Sequence, residues 1–225
     1  MEERKTRVLE AAVESFIETG LPVSSSWLFR HYDFGIKPAM IRLELEDLSD
    51  RGYLLQPYHS AGRVPSDKGY EFFAEMILET ENFSVAARDD KFSRLFEERA
   101  WDEFLGGISS SLGILGVLRD NAEMHKTGLE NLIGNLKEET LNDVKSIIRD
   151  FAEIDTRIEK LSSGPEELDT PSVFIGRKSP LTKSDKLAII AGEYDCGENK
   201  VFLFAVGPKR MNYRKALRIF KNLNG

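Results

Sequence analysis

The chain has 225 residues, of which 41% are hydrophobic and 31% are charged, and its formal net charge is −7. This length fits one large domain or two small ones, and the apolar content is too high for a disordered chain. The longest apolar runs, 187–191 and 201–206, are too short to span a bilayer, and the charged N-terminus is unlike a secretion signal. One cysteine and three scattered histidines exclude a disulfide framework and disfavour a metal centre, so we expect a cytoplasmic protein without metal or cofactor.

The charge balance argues against a non-specific polyanion binder. Residues 1–70 contain nine Lys and Arg against eleven Asp and Glu, a balance of −2. A protein that binds nucleic acid through bulk electrostatics would be basic. A DNA-binding function must therefore depend on a local site.

The first 80 residues predict a winged helix-turn-helix. Apolar residues at helical spacing over 4–19 end at Gly20, Ser24 is a good N-cap for a short helix reaching His31, and Pro38 begins a third helix. A strand at 53–56 and a turn-rich loop at 57–65 follow, with Arg63 near the loop tip, and Ser66 caps another helix. Three helices, a strand, a basic loop and a helix are the elements of this DNA-binding motif.

The remainder predicts an α+β domain at 92–225, joined by a polar linker at 81–91. Residues 92–110 read as helical, 112–118 is ambiguous with a slight preference for strand, and 127–136 is a short helix. A helix of about 22 residues follows from position 141. Apolar runs at 173–176, 187–191 and 201–206 predict strands of an antiparallel sheet with helices on one face, and a final helix covers 212–223.

Two stretches of sequence resemble a known family. Residues 8–73 contain "VLEAAVESFIETGLPVSSSWL", "PAMIRLELEDLSDRGYL" and "QPYHSAGRVPSDKGYEFF", and residues 207–213 read "GPKRMNY". These segments closely resemble HrcA, the heat-shock transcription repressor family of bacteria, in a shortened form. The resemblance implies that the second domain is a reduced GAF-like dimerisation domain.

The resemblance also implies a function. Members of the family repress chaperone operons of the groE and dnaK type by binding an inverted-repeat operator, CIRCE, as a homodimer, and the GroEL chaperonin supports their activity. We therefore expect double-stranded DNA, a second copy of the chain and GroEL as partners. The sequence contains no P-loop, G-x-S-x-G or H-E-x-x-H motif, which disfavours an enzyme.

Candidate DNA contacts lie on the second and third helices and on the loop. Serine hydroxyls can bind phosphates, arginine can bind guanine or a phosphate, and a loop arginine can enter a narrow minor groove. The alternatives are that Arg42 forms a solvated pair with Glu46 and that Arg63 is a free surface arginine. The candidates are Ser24, Ser25, Ser26, Lys37, Pro38, Met40, Arg42, His59, Arg63 and Lys68.

The sequence departs from the family at several of these positions. Met40 stands where the family has Thr, Leu43 where it has Asn, Lys37 where it has a small polar residue, and Ser26-Trp27 where it has Lys-Thr. Met40 can still contact a thymine methyl group. Leu43 has a second interpretation, burial at a domain interface. The departures concern the operator sequence more than DNA binding itself.

Two helices of the second domain carry alternatives that the sequence leaves open. The long helix is either a dimer seam or the face that packs on the sheet, and its candidate dimer contacts are Leu141, Val144, Ile148, Phe151 and Ile158. The basic final helix either binds DNA or an acidic partner, or is a solvated face. For the whole chain, the competing functions are a ligand-sensing regulator and a winged helix used for protein contacts.

Overall fold

A computed structural model describes residues 2–80, 91–136, 140–164, 168–197 and 199–223. The chain forms two compact units, Met1–Glu79 and Thr80–Gly225. Most of the predicted linker at 81–91 lies outside the described residues. Among the helices in the described ranges, none combines the length and apolar character that crossing a membrane requires.

The first unit contains helices α1 (Glu3–Thr19), α2 (Ser25–His31) and α3 (Pro38–Asp50), a hairpin of β1 (Leu54–Leu55) and β2 (Val64–Pro65), and α4 (Asp67–Thr80). Local signals set these boundaries. Gly20 ends α1 in the left-handed region (φ +70°), and the Ser24 hydroxyl caps α2 by accepting from the Trp27 N–H. Each of the four helices buries large apolar side chains, namely Leu9, Leu28, Ile41, Leu48, Phe73 and Ile77.

Ion pairs that are partly exposed tie α1 to α3. Glu44 accepts from Arg4 at 2.7 Å, and Lys5 lies 2.7 Å from Asp47. The hydrogen bond from Lys5 lowers the pKa of Asp47, and the same bond raises the pKa of Lys5. These pairs fix the helix that carries Arg42 against the first helix.

The second unit is a five-stranded antiparallel sheet with packed helices, which confirms the α+β class. Its elements are α5 (Lys91–Glu97), α6 (Trp101–Leu112), β3 (Leu115–Asp120), β4 (Glu123–Thr127), α7 (Leu129–Asn135), α8 (Leu141–Ser162), β5 (Ser172–Ile175), a 3₁₀ turn (Gly176–Lys178), β6 (Leu187–Cys196), β7 (Asn199–Pro208) and α9 (Tyr213–Asn222). The strand order is β4-β3-β7-β6-β5, and every neighbouring pair is antiparallel.

Helices cover both faces of this sheet, so the expectation of helices on one face is wrong. On one face, Val117, Ile189 and Phe204 pack with α7 and α8. On the other face, α6 packs over Gly116, and the Tyr194 hydroxyl donates to the carbonyl of Phe220 in α9. The physical reason is visible in β6 and β7, which are buried along nearly their whole length and need cover on both sides.

Two element predictions need correction. The helical stretch at 92–110 is two helices, because the chain turns between them with Arg99 at φ 54°. Strand β4 was not predicted, since Glu123–Thr127 is polar and lies at the sheet edge, where only one side needs a partner strand. The ambiguous stretch at 112–118 is resolved as the end of α6 followed by β3.

A carboxylate on α8 fixes the loop that precedes β6. Asp150 accepts from the Thr182 hydroxyl, from the backbone N–H groups of Lys183 and Ser184 at 2.9 and 3.0 Å, and from Arg157 at 2.8 Å. Burial raises the pKa of Asp150, but the hydrogen bonds from Thr182, Arg157 and the backbone outweigh it, so the pKa is lowered. The buried face of α8 thus includes one carboxylate, and hydrogen bonds compensate its burial.

Candidate nucleic-acid interface

A groove in the first unit brings together several of the predicted DNA contacts. It lies between the start of α2, the outer side of α3 and the β1–β2 loop. We call it the α2–α3–hairpin groove. Its lining includes Ser24, Ser25, Arg42, Glu46, Gln56, His59, Gly62 and Arg63. Two helices and a hairpin loop therefore present polar and basic groups to one surface.

Ser24 and Ser25 lie at the edge of this groove where α2 begins. The Ser24 oxygen accepts from the Trp27 N–H at 3.1 Å, so its own O–H remains able to donate to a ligand. Ser26 is exposed but is not part of the lining, and its carbonyl accepts from Arg30. The structure thus gathers two of the three predicted serines.

Arg42 projects from α3 and pairs with Glu46. Its Nε lies 3.2 Å from Glu46 Oε1, and 75% of the side chain is exposed. This is the solvated pair that the sequence left open as the alternative. An exposed pair of this kind stabilises by about 0–1 kcal/mol, so a phosphate or a guanine can replace Glu46 at small cost.

Arg63 lies at the base of the loop, which corrects the expectation of an arginine near the tip. Its backbone N–H and carbonyl pair with Val23, both at 2.8 Å, and its Nε donates to Ser49 Oγ at 2.8 Å. Gly62 permits this approach, because a Cβ there would lie 2.5 Å from the Val23 oxygen. Arg63 therefore fastens the loop to the connection before α2 and to α3.

Gln56 stabilises the β1–β2 loop through hydrogen bonds to its backbone. The sequence did not predict this role. Its Nε2 donates to the carbonyls of His59 at 2.8 Å and Ala61 at 3.1 Å. Ser49 was also missed as the acceptor for Arg63. A glutamine at the start of a turn-rich loop was the only available signal, because the Ser49 contact depends on tertiary placement. His59 itself is exposed in this loop.

Lys37, Pro38 and Met40 lie at the start of α3, outside the groove lining. Met40 and Leu43 are 44% and 55% exposed. Lys68 is separate from the groove. Its Nζ donates to the carbonyl of Arg51 at 2.9 Å and lies 4.2 Å from the centre of the Tyr53 ring.

The candidate dimer residues divide between two faces of α8. Leu141 is 71% exposed and Ile148 47%, while Val144 and Phe151 are half-buried. Ile158 is fully buried in the core of its own unit, together with Ile147 and Ile154. Its inclusion among the dimer contacts is therefore wrong, because its side chain is inside the protein.

Comparison with known proteins identifies the family. Residues 79–217 match the HrcA protein C-terminal domain. The heat-inducible transcription repressor HrcA of Alkaliphilus metalliredigens (strain QYMF) is 47% identical over 112 residues, which is 50% of this chain and 33% of that protein. The protein of the same name from Moorella thermoacetica is 46% identical over 78 residues, 35% of this chain and 23% of that protein. The matched segments thus span about a quarter to a third of these relatives.

A solved structure shares the fold. A crystal structure of a hypothetical protein at 2.2 Å resolution superposes with a TM-score of 0.80 at 20% identity, covering 99% of this chain and 96% of that one. This similarity concerns the fold alone. The family match extends over more than half of the chain and agrees with the motifs in the sequence, and the chain belongs to the HrcA family.

Proposed function

We propose that residues 1–80 form a winged helix-turn-helix domain that binds double-stranded DNA, and that the protein is a transcription repressor. The single observation that carries this proposal is the α2–α3–hairpin groove, which presents Ser24, Ser25, Arg42 and His59 on one surface. In such domains the second helix of the pair reads base edges while neighbouring polar groups hold phosphates. Relatives that bear the name heat-inducible transcription repressor support the same assignment.

We propose different roles for the two arginines of the groove. Arg42 is exposed on α3 and exchanges Glu46 for a base edge or a phosphate. Arg63 uses its backbone and its Nε to hold the loop, so it positions the wing rather than probing a minor groove with a free side chain. Met40, exposed at the start of α3, supplies an apolar contact for a thymine methyl group. Lys37 and Pro38 lie beside it in the first turn.

The proposed target is an inverted repeat bound by a homodimer. A small unit with few free cations has little non-specific affinity, so useful occupancy requires two copies on one duplex. We assign the contacts between copies to the second unit, as a reduced GAF-like dimerisation domain, with Leu141, Val144, Ile148 and Phe151 of α8 at the interface. The exposure of Leu141 and Ile148 supports this assignment.

The regulated genes that we propose are chaperone operons of the groE and dnaK type under a CIRCE-like operator, with GroEL as a modulating partner. Because Met40 and Leu43 differ from the residues of the family at these positions, the operator sequence must be determined by experiment. Binding-site selection from a random duplex pool by the full chain tests the proposal. An enriched inverted repeat, with half-sites about 34–36 Å apart or a multiple of that, is the expected result. A pool that is unchanged after selection would contradict it.

A further inference from the structure

The end of the chain is basic in an otherwise acidic protein. Residues 199–225 carry seven Lys and Arg and neither Asp nor Glu. The preceding 198 residues carry the other 24 Lys and Arg and all 38 Asp and Glu, a balance of −14. Charge of one sign is therefore concentrated in the segment that contains α9.

The Lys and Arg side chains of α9 lie on one face of the helix. Tyr213, Ala216, Leu217 and Phe220 are buried against the sheet, at the spacing of one helix face. The opposite face holds Arg214, Lys215, Arg218 and Lys221, and Arg210 lies in the turn just before the helix. We call these five residues the α9 basic ridge.

The spacing of the charges in the ridge reduces the stability of α9. Arg214 and Arg218 are four residues apart, and Arg218 is three residues from both Lys215 and Lys221, spacings at which like charges repel. Arg214 and Lys215 also lie in the first turn, where the helix dipole disfavours cations. Within the described residues, Arg210, Arg218 and Lys221 have no acidic partner, and Lys215 donates only to the neutral carbonyl of Ser111 at 3.0 Å.

The chemistry of the ridge fits a regular polyanion. A rise of about 1.5 Å per residue places Arg214, Arg218 and Lys221 over about 10 Å of helix axis. One strand of duplex DNA carries a phosphate about every 3.4 Å along its axis, so the ridge spans about three phosphates. An acidic peptide would more often need an apolar anchor beside the charges. The large exposed apolar side chains in the described ranges lie on other elements.

The first unit supplies little net positive charge for contacts with DNA phosphates. Residues 1–70 have a charge balance of −2, and α3 itself carries the acidic residues Glu46 and Asp50 beside Arg42. Specific DNA binding normally includes a large electrostatic term from phosphate neutralisation. We propose that the α9 basic ridge binds the phosphate backbone of duplex DNA, a sequence-independent contact that adds to the operator recognition proposed above and rests on it.

A salt titration of duplex binding tests this. The full-length variant R210Q/R218Q/K221Q removes three charges from the ridge, and K160Q/R177Q/K183Q removes three exposed charges elsewhere in the same unit. Affinity for the selected operator and for an unrelated duplex is measured against salt concentration. We expect the ridge variant to lower the slope of log K against log salt by about 2–3 on both duplexes, and the control variant to leave it unchanged. The charge-preserving variant R210K/R218K should keep the wild-type slope.

The outcomes separate this inference from the proposed function. If the ridge variant keeps the wild-type slope, the inference is overturned while operator selection by Arg42 is unaffected. A lowered slope on both duplexes without any preference for one sequence would support the ridge and contradict the proposed repressor. Binding of poly-glutamate, a probe for acidic protein partners, is measured for the same variants. A ridge variant that binds duplex DNA as wild type does but no longer binds poly-glutamate would assign the ridge to an acidic protein partner and overturn the DNA contact.

Discussion

The α2–α3–hairpin groove and the α9 basic ridge use positive charge in opposite ways. In the first unit, Arg4 and Lys5 bind carboxylates of α3, Arg63 binds Ser49, and Lys68 binds a carbonyl at the end of α3. These cations hold the surface in shape. In α9, Arg218 and Lys221 lack such partners in the described part of the chain. A count of Lys and Arg along the sequence therefore does not measure the charge available to a ligand, because internal contacts occupy part of it.

The largest effect is expected where a buried charge network holds the second unit together. Asp150→Asn removes the carboxylate that accepts from Thr182, Arg157 and two backbone N–H groups, and it leaves Arg157 with Glu153 as its remaining acidic partner. We expect a loss of about 3 kcal/mol in the free energy of unfolding. Urea denaturation of the full chain measures it. Asp155→Asn on the same helix, which removes an exposed pair with Lys126, should cost about 1 kcal/mol or less. Equal losses would contradict the assigned role of Asp150.

Substitutions of the two groove arginines, Arg42 and Arg63, should affect DNA binding in different ways and to different extents. Arg42→Ala should weaken operator binding by about 1–3 kcal/mol and relax base preference, because an exposed contact to a base edge is lost. Arg63→Ala should weaken binding with little change in preference, and it should lower thermal stability because the tie to Ser49 is lost. Fluorescence anisotropy on a panel of single-base operator variants separates the two. Arg30→Ala, an exposed arginine outside the groove lining, is the control and should bind as wild type.

The exposed face of α8 should control assembly without affecting the fold. L141E/I148E places charge on the proposed interface, and we expect dimer dissociation to become at least about tenfold more favourable, or about 1.4 kcal/mol. Sedimentation velocity over a range of protein concentrations measures this. N142E/S146E adds the same charge to exposed positions on another side of the helix and should sediment as wild type. A full chain that is already monomeric at micromolar concentration would disprove the dimer.

The hydrogen bonds of Gln56 should matter less. Gln56→Ala removes the donor to the carbonyls of His59 and Ala61, both in an exposed loop, and should cost about 1 kcal/mol in operator affinity with unchanged base preference. The reason is that the loop must then be ordered on binding. Asn142→Ala, at an exposed amide far from the loop in sequence, should leave affinity unchanged. A Gln56→Ala protein with wild-type affinity would show that the loop needs no internal tie.

Acid should weaken the tie between α1 and α3 by a small amount. The pKa of Asp47 is lowered in the folded protein, so its contribution is present above the ordinary carboxyl pKa of 3.8 and is lost as the pH falls below it. Thermal melts between pH 3 and pH 7 should therefore show a difference between wild type and Asp47→Asn that shrinks toward the acid end. Asp50→Asn, an exposed residue on the same helix, should track wild type throughout.

Local signals in the sequence were sufficient for most elements. Gly20, Ser24 and Pro38 mark helix ends through backbone geometry and capping, which depend on neighbouring residues only. The 22-residue helix α8 follows from its periodicity. Strand β4 could not be predicted because its polar sequence becomes a strand only through pairing with β3. The second helical layer required knowledge that β6 and β7 are buried on both faces.

The candidate site divides in the same way. That Arg42 lies on the exposed side of α3 follows from helix spacing, because Ile41, Leu45 and Leu48 occupy the buried side. The placement of Arg63 depends on Ser49, fourteen residues away, and on the close approach of Gly62 to Val23. The spacing of residues in the sequence does not predict those contacts. The burial of Ile158 likewise depends on the sheet that α8 covers, and periodicity alone could not separate it from Ile148.

Hydrogen exchange of the full chain with and without the selected operator tests whether the α2–α3–hairpin groove is the surface that binds DNA. We expect slower exchange of backbone amides at 24–28, 37–43 and 56–63, which form the groove and the start of α3, when the duplex is present. Protection in these segments should be weaker in Arg42→Ala at equal DNA concentration. Stable DNA binding with unchanged exchange in all three segments would contradict the assignment of the α2–α3–hairpin groove as the DNA-binding surface.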